Sequence, residues 1–280
     1  MRNTLLAVDL SNQLYKATAV NPTLSSADGR HYTGGLYGFL MAMQKAIKLT
    51  DATAVVLCRD SKPYKRSAIY PEYKALRKTK RDPEHAERVE LTQPLIRKLS
   101  EVVAWPIWGI DGYESDDLVA HAVSMHRHRF QHIYAMSNDS DLYQLFQYPN
   151  FSVYRGGKQG IYTRDSFDKE HAGLPATSVP LMLAMTGTHN EIEGIHGIGP
   201  ATALKILASP ARLRDTMSKH RDVVDRNLGL IRLPYDDFPH DEPVPLPGKF
   251  HYREFVRFCS YYDIQASQAL CEALEQVSKK

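Results

Sequence analysis

The chain predicts an α/β fold, a mostly parallel sheet flanked by helices and followed by a helical C-terminal region. In the first half, strand-length apolar runs alternate with stretches whose apolar residues recur at helical spacing, an order that places helices over a parallel sheet. From about Asp165 onward the strand signals stop and helical periodicity continues. A third observation concerns chemistry: each apolar run delivers carboxylates at or beyond its C-terminal end.

Taken in order, Leu5, Leu6, Ala7 and Val8 form a continuous apolar run ending at Asp9, the pattern of a strand covered on both faces. Residues 35–48 place Leu36, Phe39, Leu40, Met43 and Ile47 at helical spacing. Residues 54–58 are a second apolar run and lead through Arg59 to Asp60. Residues 89–99 read as a helix through Leu91, Leu95, Ile96 and Leu99. Val102, Val103, Ala104 and Trp105 read as a third strand leading to Glu114, Asp116 and Asp117, and residues 115–125 as a helix whose acidic first turn complements its dipole. A fourth strand, residues 133–136, leads to Asp139 and Asp141. Residues 151–154 and 160–163, joined by a Gly-Gly turn, predict a hairpin. The boundary between the two regions is set at 164/165. Within the second, residues 233–247 are rich in proline and acid and predict an extended connector, followed by an aromatic helix over 252–262.

With 280 residues and 43% hydrophobic content the chain can bury one large core or two modest ones, which excludes a disordered protein. No apolar run has membrane-spanning length, and Asp9 falls where a signal peptide needs its apolar core, so a cytoplasmic protein without membrane contact is expected. Cys58, Cys259 and Cys271 have no CxxC spacing and read as reduced thiols without a chemical role. The net charge of +3 hides a segregation of sign, because Lys62, Lys65, Arg66, Lys74, Arg77, Lys78, Lys80, Arg81 and Arg88 gather in one stretch. Such a surface suits a polyanion.

In open α/β sheets the ligand crevice lies outside the carboxyl ends of the strands, so Asp9, Asp60, Glu114, Asp116, Asp117, Asp139 and Asp141 are expected to converge there. Converging carboxylates repel one another unless cations sit among them, and all-oxygen ligands suit Mg²⁺ or Mn²⁺. Acids at one helix N-terminus or in one turn are ordinary; acids at four strand ends are not. A second motif, Gly194-Ile195-His196-Gly197-Ile198-Gly199, lies before a helix-forming stretch and offers backbone N–H groups to a phosphate, like the hairpin of a helix-hairpin-helix element. A third interleaves Tyr70 and Tyr73 with Arg66, Lys74 and Arg77, rings that can stack on bases beside cations that track phosphates.

These residues together resemble the 5′ nucleases, comprising bacteriophage flap endonucleases and the 5′-to-3′ exonuclease domain of bacterial DNA polymerase I. The likeness runs in order through Val8-Asp9 with Asn12, Asp60, Arg66, Pro71, Tyr73-Lys74, Arg77, Glu114 to Asp117, Ser137 to Asp141, and the glycine hairpin. It implies hydrolysis of DNA phosphodiesters at 5′ ends, flaps or nicks by a monomer, leaving 5′ phosphates, with polymerase or other replication partners acting in trans. It assigns the seven acids to metal-ligand positions, normally for two ions, and Lys74 and Arg77 to catalytic cations in a helical arch over about residues 62–90. Lys16, Arg66, Tyr73, Gly194, Gly197, Gly199 and Lys205 are the expected DNA contacts, with a possible K⁺ at the hairpin. Residues 1–164 then form the metal-binding nuclease region and 165–280 the DNA-binding region.

One departure from the family pattern stands out. A GDxxDN stretch normally precedes the hairpin, its aspartates helping to hold the second metal, and those positions are Gly187 and Asn190 here. A weakened second site is therefore expected; Glu191 or Glu193 could substitute, or Asp141 with water. Lys65 stands where an aromatic is common. The competing readings are a DNA-binding protein with a degenerate metal site and a ribonuclease of related fold, against which the hairpin argues. A phosphatase built on DxD is disfavoured because Leu10 and Ser11 follow Asp9.

Overall fold

In the computed structural model, which describes residues 3–74, 82–171, 173–188 and 192–277, the first strand, β1 (Thr4–Asp9), is buried at all six positions. It is central in a six-stranded sheet of order β3-β2-β1-β4-β5-β6, formed with β2 (Ala54–Cys58), β3 (Ile107–Trp108), β4 (His132–Met136), β5 (Phe151–Gly156) and β6 (Gly160–Tyr162). All pairings are parallel except β5 with β6, which is the expected hairpin. Alternate residues of each strand face opposite cores: Leu5, Ala7, Ala54 and Val56 one, Leu6, Val8, Val55 and Leu57 the other.

The helices sort by face. α1 (Leu10–Val20), α2 (Gly34–Thr50), α4 (Pro83–Val103), α10 (Tyr252–Tyr261) and α11 (Gln268–Val277) contribute to the core that holds Leu6 and Val8. α5 (Ser115–His126), α6 (Arg164–Glu170), α7 (Val179–Thr186), α8 (Pro200–Leu207) and α9 (Pro210–Ile231) contribute to the other, and the short α3 (Arg66–Ile69) packs on α9. Helices after β1 cover one face and those beside β4 the other. This reversal opens a crevice between the carboxyl ends of adjacent β1 and β4. Both cores contain residues from either side of position 164.

The structure corrects one element. Val102 and Val103 close α4 and do not begin a strand, because Leu95, Ile96, Leu99 and Val103 continue the helix's buried stripe until Ala104 ends it at φ 54°. The strand is Ile107–Trp108. Periodicity also leaves α1 unmarked: polar Gln13 and Thr18 are buried within it, and Asp9 caps it by accepting from Asn12 N at 3.1 Å. The connector over 233–247 lies against the first region, burying Phe238 and Val244 and taking a 2.6 Å bond from the Tyr113 hydroxyl to the Asp237 carbonyl. Among the described residues no helix is long and apolar enough to cross a membrane.

Candidate active site at the carboxyl edge of the sheet

Four chain segments meet beyond the carboxyl ends of the strands. Asp9 ends β1, Asp60 follows β2, Glu114 caps α5 with Asp116 and Asp117 in its first turn, and Asp139 caps a 3₁₀ turn over Ser140–Gln147. Two serines join them. Ser115 donates from its hydroxyl to Asp9 Oδ1 at 2.9 Å and from its N–H to Asp60 Oδ1 at 2.8 Å, while the Ser137 hydroxyl donates to Asp9 Oδ2 at 2.9 Å. Sequence reasoning did not single out either serine for a role, although each sits among the acids.

Asp117 departs from the expected ligand set. Its carboxylate is wholly buried and accepts from Arg66 Nη1 at 2.6 Å, Arg66 Nη2 at 2.7 Å, the Glu114 N–H at 3.1 Å and the Tyr235 N–H at 2.8 Å. With its lone pairs taken, it locks the loop and has none left over for a metal ion. Arg66 is likewise not a DNA contact: it is 3% exposed, and all five of its donors are spent on Asp117, Glu114, Leu230 O and Arg232 O. Tyr73 is also corrected, because its ring is buried in the core and its hydroxyl donates to Glu114 Oε2 at 2.8 Å, which removes it from stacking on bases.

The carboxylates left open are Asp116, Asp139 and Asp141. Asp116 Oδ1 is buried and has no hydrogen-bond partner. Burial, followed by the charge of Asp139, pushes both Asp116 and Asp141 well above the usual carboxylate range. Burial, then Asp60, raises Asp9 to about 6. Asp60 is also buried, but Lys74 and hydrogen bonds from Ser115 and Ser11 outweigh that cost and hold it below its ordinary value. Lys74, at φ 57°, forms an ion pair with Glu114 Oε1 and lies 5.3 Å from the Tyr64 ring centroid. Among the described residues no three acidic, histidine or cysteine side chains are gathered closely enough to cage a metal ion. The donor set nonetheless fits a hard divalent cation, since it offers only oxygens, crowded like charges and an orphaned carboxylate oxygen. Glu114 can join such a set only when Lys74 releases it.

Beside Asp60 and Lys74 opens a cavity of about 960 Å³ whose lining includes Tyr15, Arg59, Lys62 and Tyr64. Lys16, half-buried on α1, is lowered to about 8 by burial against the opposing pull of Asp9. Arg77 and the cations Lys78, Lys80 and Arg81, with Asn190 and Glu191, lie outside the described residues, so the expected arch is described only at its two ends.

The glycine hairpin lies between α7 and α8 and is preceded by a ribbon of β7 (Gly187–Thr188) with β8 (Ile192–Glu193). Gly197, at φ 80°, and Gly199, the N-cap of α8, have open space where a side chain would stand, as close approach of a phosphate requires. Gly194 differs, because a Cβ there would lie 2.6 Å from Met185 O. Its missing side chain serves close packing of the hairpin against the end of α7. Lys205 is exposed in the last turn of α8.

Residues 4–172 match the family model described as 5′-3′ exonuclease, N-terminal resolvase-like domain. The chain is 29% identical over 206 residues to a 5′-3′ exonuclease of Aquifex aeolicus (strain VF5), covering 73% of this chain and 68% of that protein. It is 27% identical over 269 residues to DNA polymerase I of Bacillus caldotenax, covering 88% of this chain but only 29% of the polymerase. Among solved structures, the bacteriophage T5 flap endonuclease in a complex with DNA and metal ions superposes with a TM-score of 0.67 at 17% identity, covering 99% of this chain and 98% of that one.

Proposed function

From a chain that belongs to the 5′-3′ exonuclease family and is by that membership a structure-specific 5′ nuclease, we infer that its reaction is divalent-metal-dependent hydrolysis of DNA phosphodiesters at 5′ ends, flaps or nicks. One observation carries this reading. In the crevice between β1 and β4, Asp116, Asp139 and Asp141 present carboxylates with open oxygens, Asp139 spending one on the Asp141 N–H, and Lys74 stands beside them. The bacteriophage T5 enzyme of similar fold was solved with DNA and metal ions, which supports the same pairing here.

A Mg²⁺ or Mn²⁺ ion held by these carboxylates would supply Lewis-acid activation of water and of the scissile phosphate. The remaining work belongs to the chain. Ser115 and Ser137 fix Asp9 and Asp60 at the strand ends, so the acids need no reorganisation when substrate enters. Lys74, once it releases Glu114, offers an ammonium to the phosphate oxygens where negative charge develops. The open turn at Gly197 and Gly199 receives a duplex phosphate on backbone N–H groups, and Lys205 adds a positive charge nearby. Carbonyls of that turn can hold a K⁺ ion.

The products carry 5′ phosphates, and the enzyme acts as a monomer in the cytoplasm. Cleavage of 5′-labelled flap, nicked and blunt duplexes, with Mg²⁺, Mn²⁺ or chelator, tests the reading. Metal-dependent release of label from at least one substrate is expected, and inertness toward all three in either metal would defeat it.

A further inference from the structure

We propose that this chain loads one divalent ion where its family's pattern provides for two, because Gly187, at one of the positions that should supply the second set of carboxylates, lies at the base of a β-ribbon with no room there for a side chain. The proposal rests on the nuclease reading above and deepens it.

The ribbon is closed from both sides. Gly187 sits at φ 77°, a region that side-chain-bearing residues rarely adopt, and a Cβ built there would lie 2.5 Å from Ile192 O and 2.7 Å from Gly194 N. Both obstacles are backbone atoms, so no rotamer change clears them. Gly194 stands in the reciprocal position, its Cβ meeting Thr186 C at 2.3 Å and Gly187 N at 2.4 Å. The strands cannot part easily to make space. Gly187 pairs with Glu193 and Thr188 with Ile192, and the Ile195 N–H donates to Met185 O at 2.8 Å. Fully buried Asn227 donates from Nδ2 to both Ala184 O at 2.9 Å and Glu193 O at 2.8 Å, tying α7 to the far strand of the ribbon. Glycine at 187 is thus a requirement of this backbone and not merely a missing ligand. Glu193, paired through its backbone with Gly187, has an exposed side chain that bonds to none of the open acids among the described residues, and Asn190 and Glu191 lie outside them.

Among the described residues, open carboxylate oxygens remain at the sheet edge on Asp116, Asp139 and Asp141. Drawn together around an ion that water and substrate complete, as in Mg²⁺-type sites, they would be enough to hold one.

Counting bound Mn²⁺ on the whole protein, by titration calorimetry and by the electron paramagnetic resonance signal of the free ion, tests this without reference to activity. One ion per chain is expected for the wild type, with affinity lowered roughly 10-fold or more in Asp116→Asn. Gly187→Asp should bind no additional ion and should lower the melting temperature by roughly 5 °C or more, as should Gly187→Ala, because both strain the same backbone. Two ions on the wild type would overturn the inference and leave the nuclease reading standing. No ion at all would overturn both. A Gly187→Asp protein that melts like wild type and takes up a second Mn²⁺ would show that the ribbon has the room it is held to lack.

Discussion

Asp117→Asn separates a structural lock from a metal ligand. The substitution keeps the shape of a wholly buried side chain but turns one oxygen into an NH₂ group facing Arg66, whose Nη1 and Nη2 lie 2.6 and 2.7 Å from the two carboxylate oxygens. One donor then points at another, and a buried guanidinium loses its main counter-charge while Glu114 remains a partner at 3.2 Å. Breaking one partner of a buried ion pair costs about 3–5 kcal/mol. With 280 residues each contributing about 2.1 cal/mol/K, the unfolding entropy is roughly 0.6 kcal/mol/K, so the melting temperature should fall by about 5–8 °C. The drop should be the same with and without Mn²⁺, and folded variant should still take up the ion. Calorimetric melting in chelator and in Mn²⁺ measures both quantities. A melting temperature within about 2 °C of wild type together with lost Mn²⁺ binding would refute the lock and return Asp117 to the ligand set.

The acids make metal-free stability depend on pH in a defined direction. Burial and Asp60 raise Asp9 from 3.8 to about 6, so in that window the folded state holds a proton that the unfolded state has released, and stability falls as pH rises; Asp116 and Asp141, also raised, act in the same sense. Melting in chelator should therefore occur at higher temperature near pH ~5 than near pH ~7, with the deficit at the higher pH reduced by Mn²⁺; the opposite order would discredit the open-acid cluster. Lys74→Ala should lower the single-turnover cleavage rate on the order of 10²-fold while DNA affinity changes only a few-fold, and an unchanged rate with weakened binding would make Lys74 a phosphate-tracking residue. Burial pushes the Cys259 thiol up to about 12, so it should resist alkylation in the native protein and react on unfolding; rapid native labelling at Cys259 would contradict its burial.

What the sequence discloses depends on how local the signal is. The runs over β1, β2 and β4 are legible because a strand covered on both faces is continuously apolar, and the acids that follow them are legible because strand direction places them at one edge. Val102 and Val103 mislead because two β-branched residues at the end of a helix look like the start of a strand until the stripe from Leu95 is followed through them. Arg66 and Tyr73 mislead for a different reason. A cation beside an aromatic in a basic stretch suggests nucleic acid, yet their partners Asp117 and Glu114 lie 51 and 41 positions away, a separation that no periodicity reveals. The bonds of Ser115 and Ser137 to Asp9, 106 and 128 positions away, are invisible on the same ground. Gly187 is legible as a departure, but only its left-handed backbone and the nearness of Ile192 O show that the departure is built in.

The most direct test of a metal-dependent nuclease site at the sheet edge is the single-turnover rate of Asp139→Asn on a 5′-labelled flap duplex in saturating Mg²⁺, measured beside DNA affinity. Asp139 caps the turn after β4 with one oxygen, from the Asp141 N–H at 3.0 Å, an acceptance that asparagine can retain while the charge is lost. Cleavage should all but vanish, with affinity for the flap within a few-fold of wild type, because the lost charge served the ion and not the duplex. A rate within about tenfold of wild type, a barrier change of only about 1.4 kcal/mol, would contradict metal-dependent chemistry at this edge of the sheet.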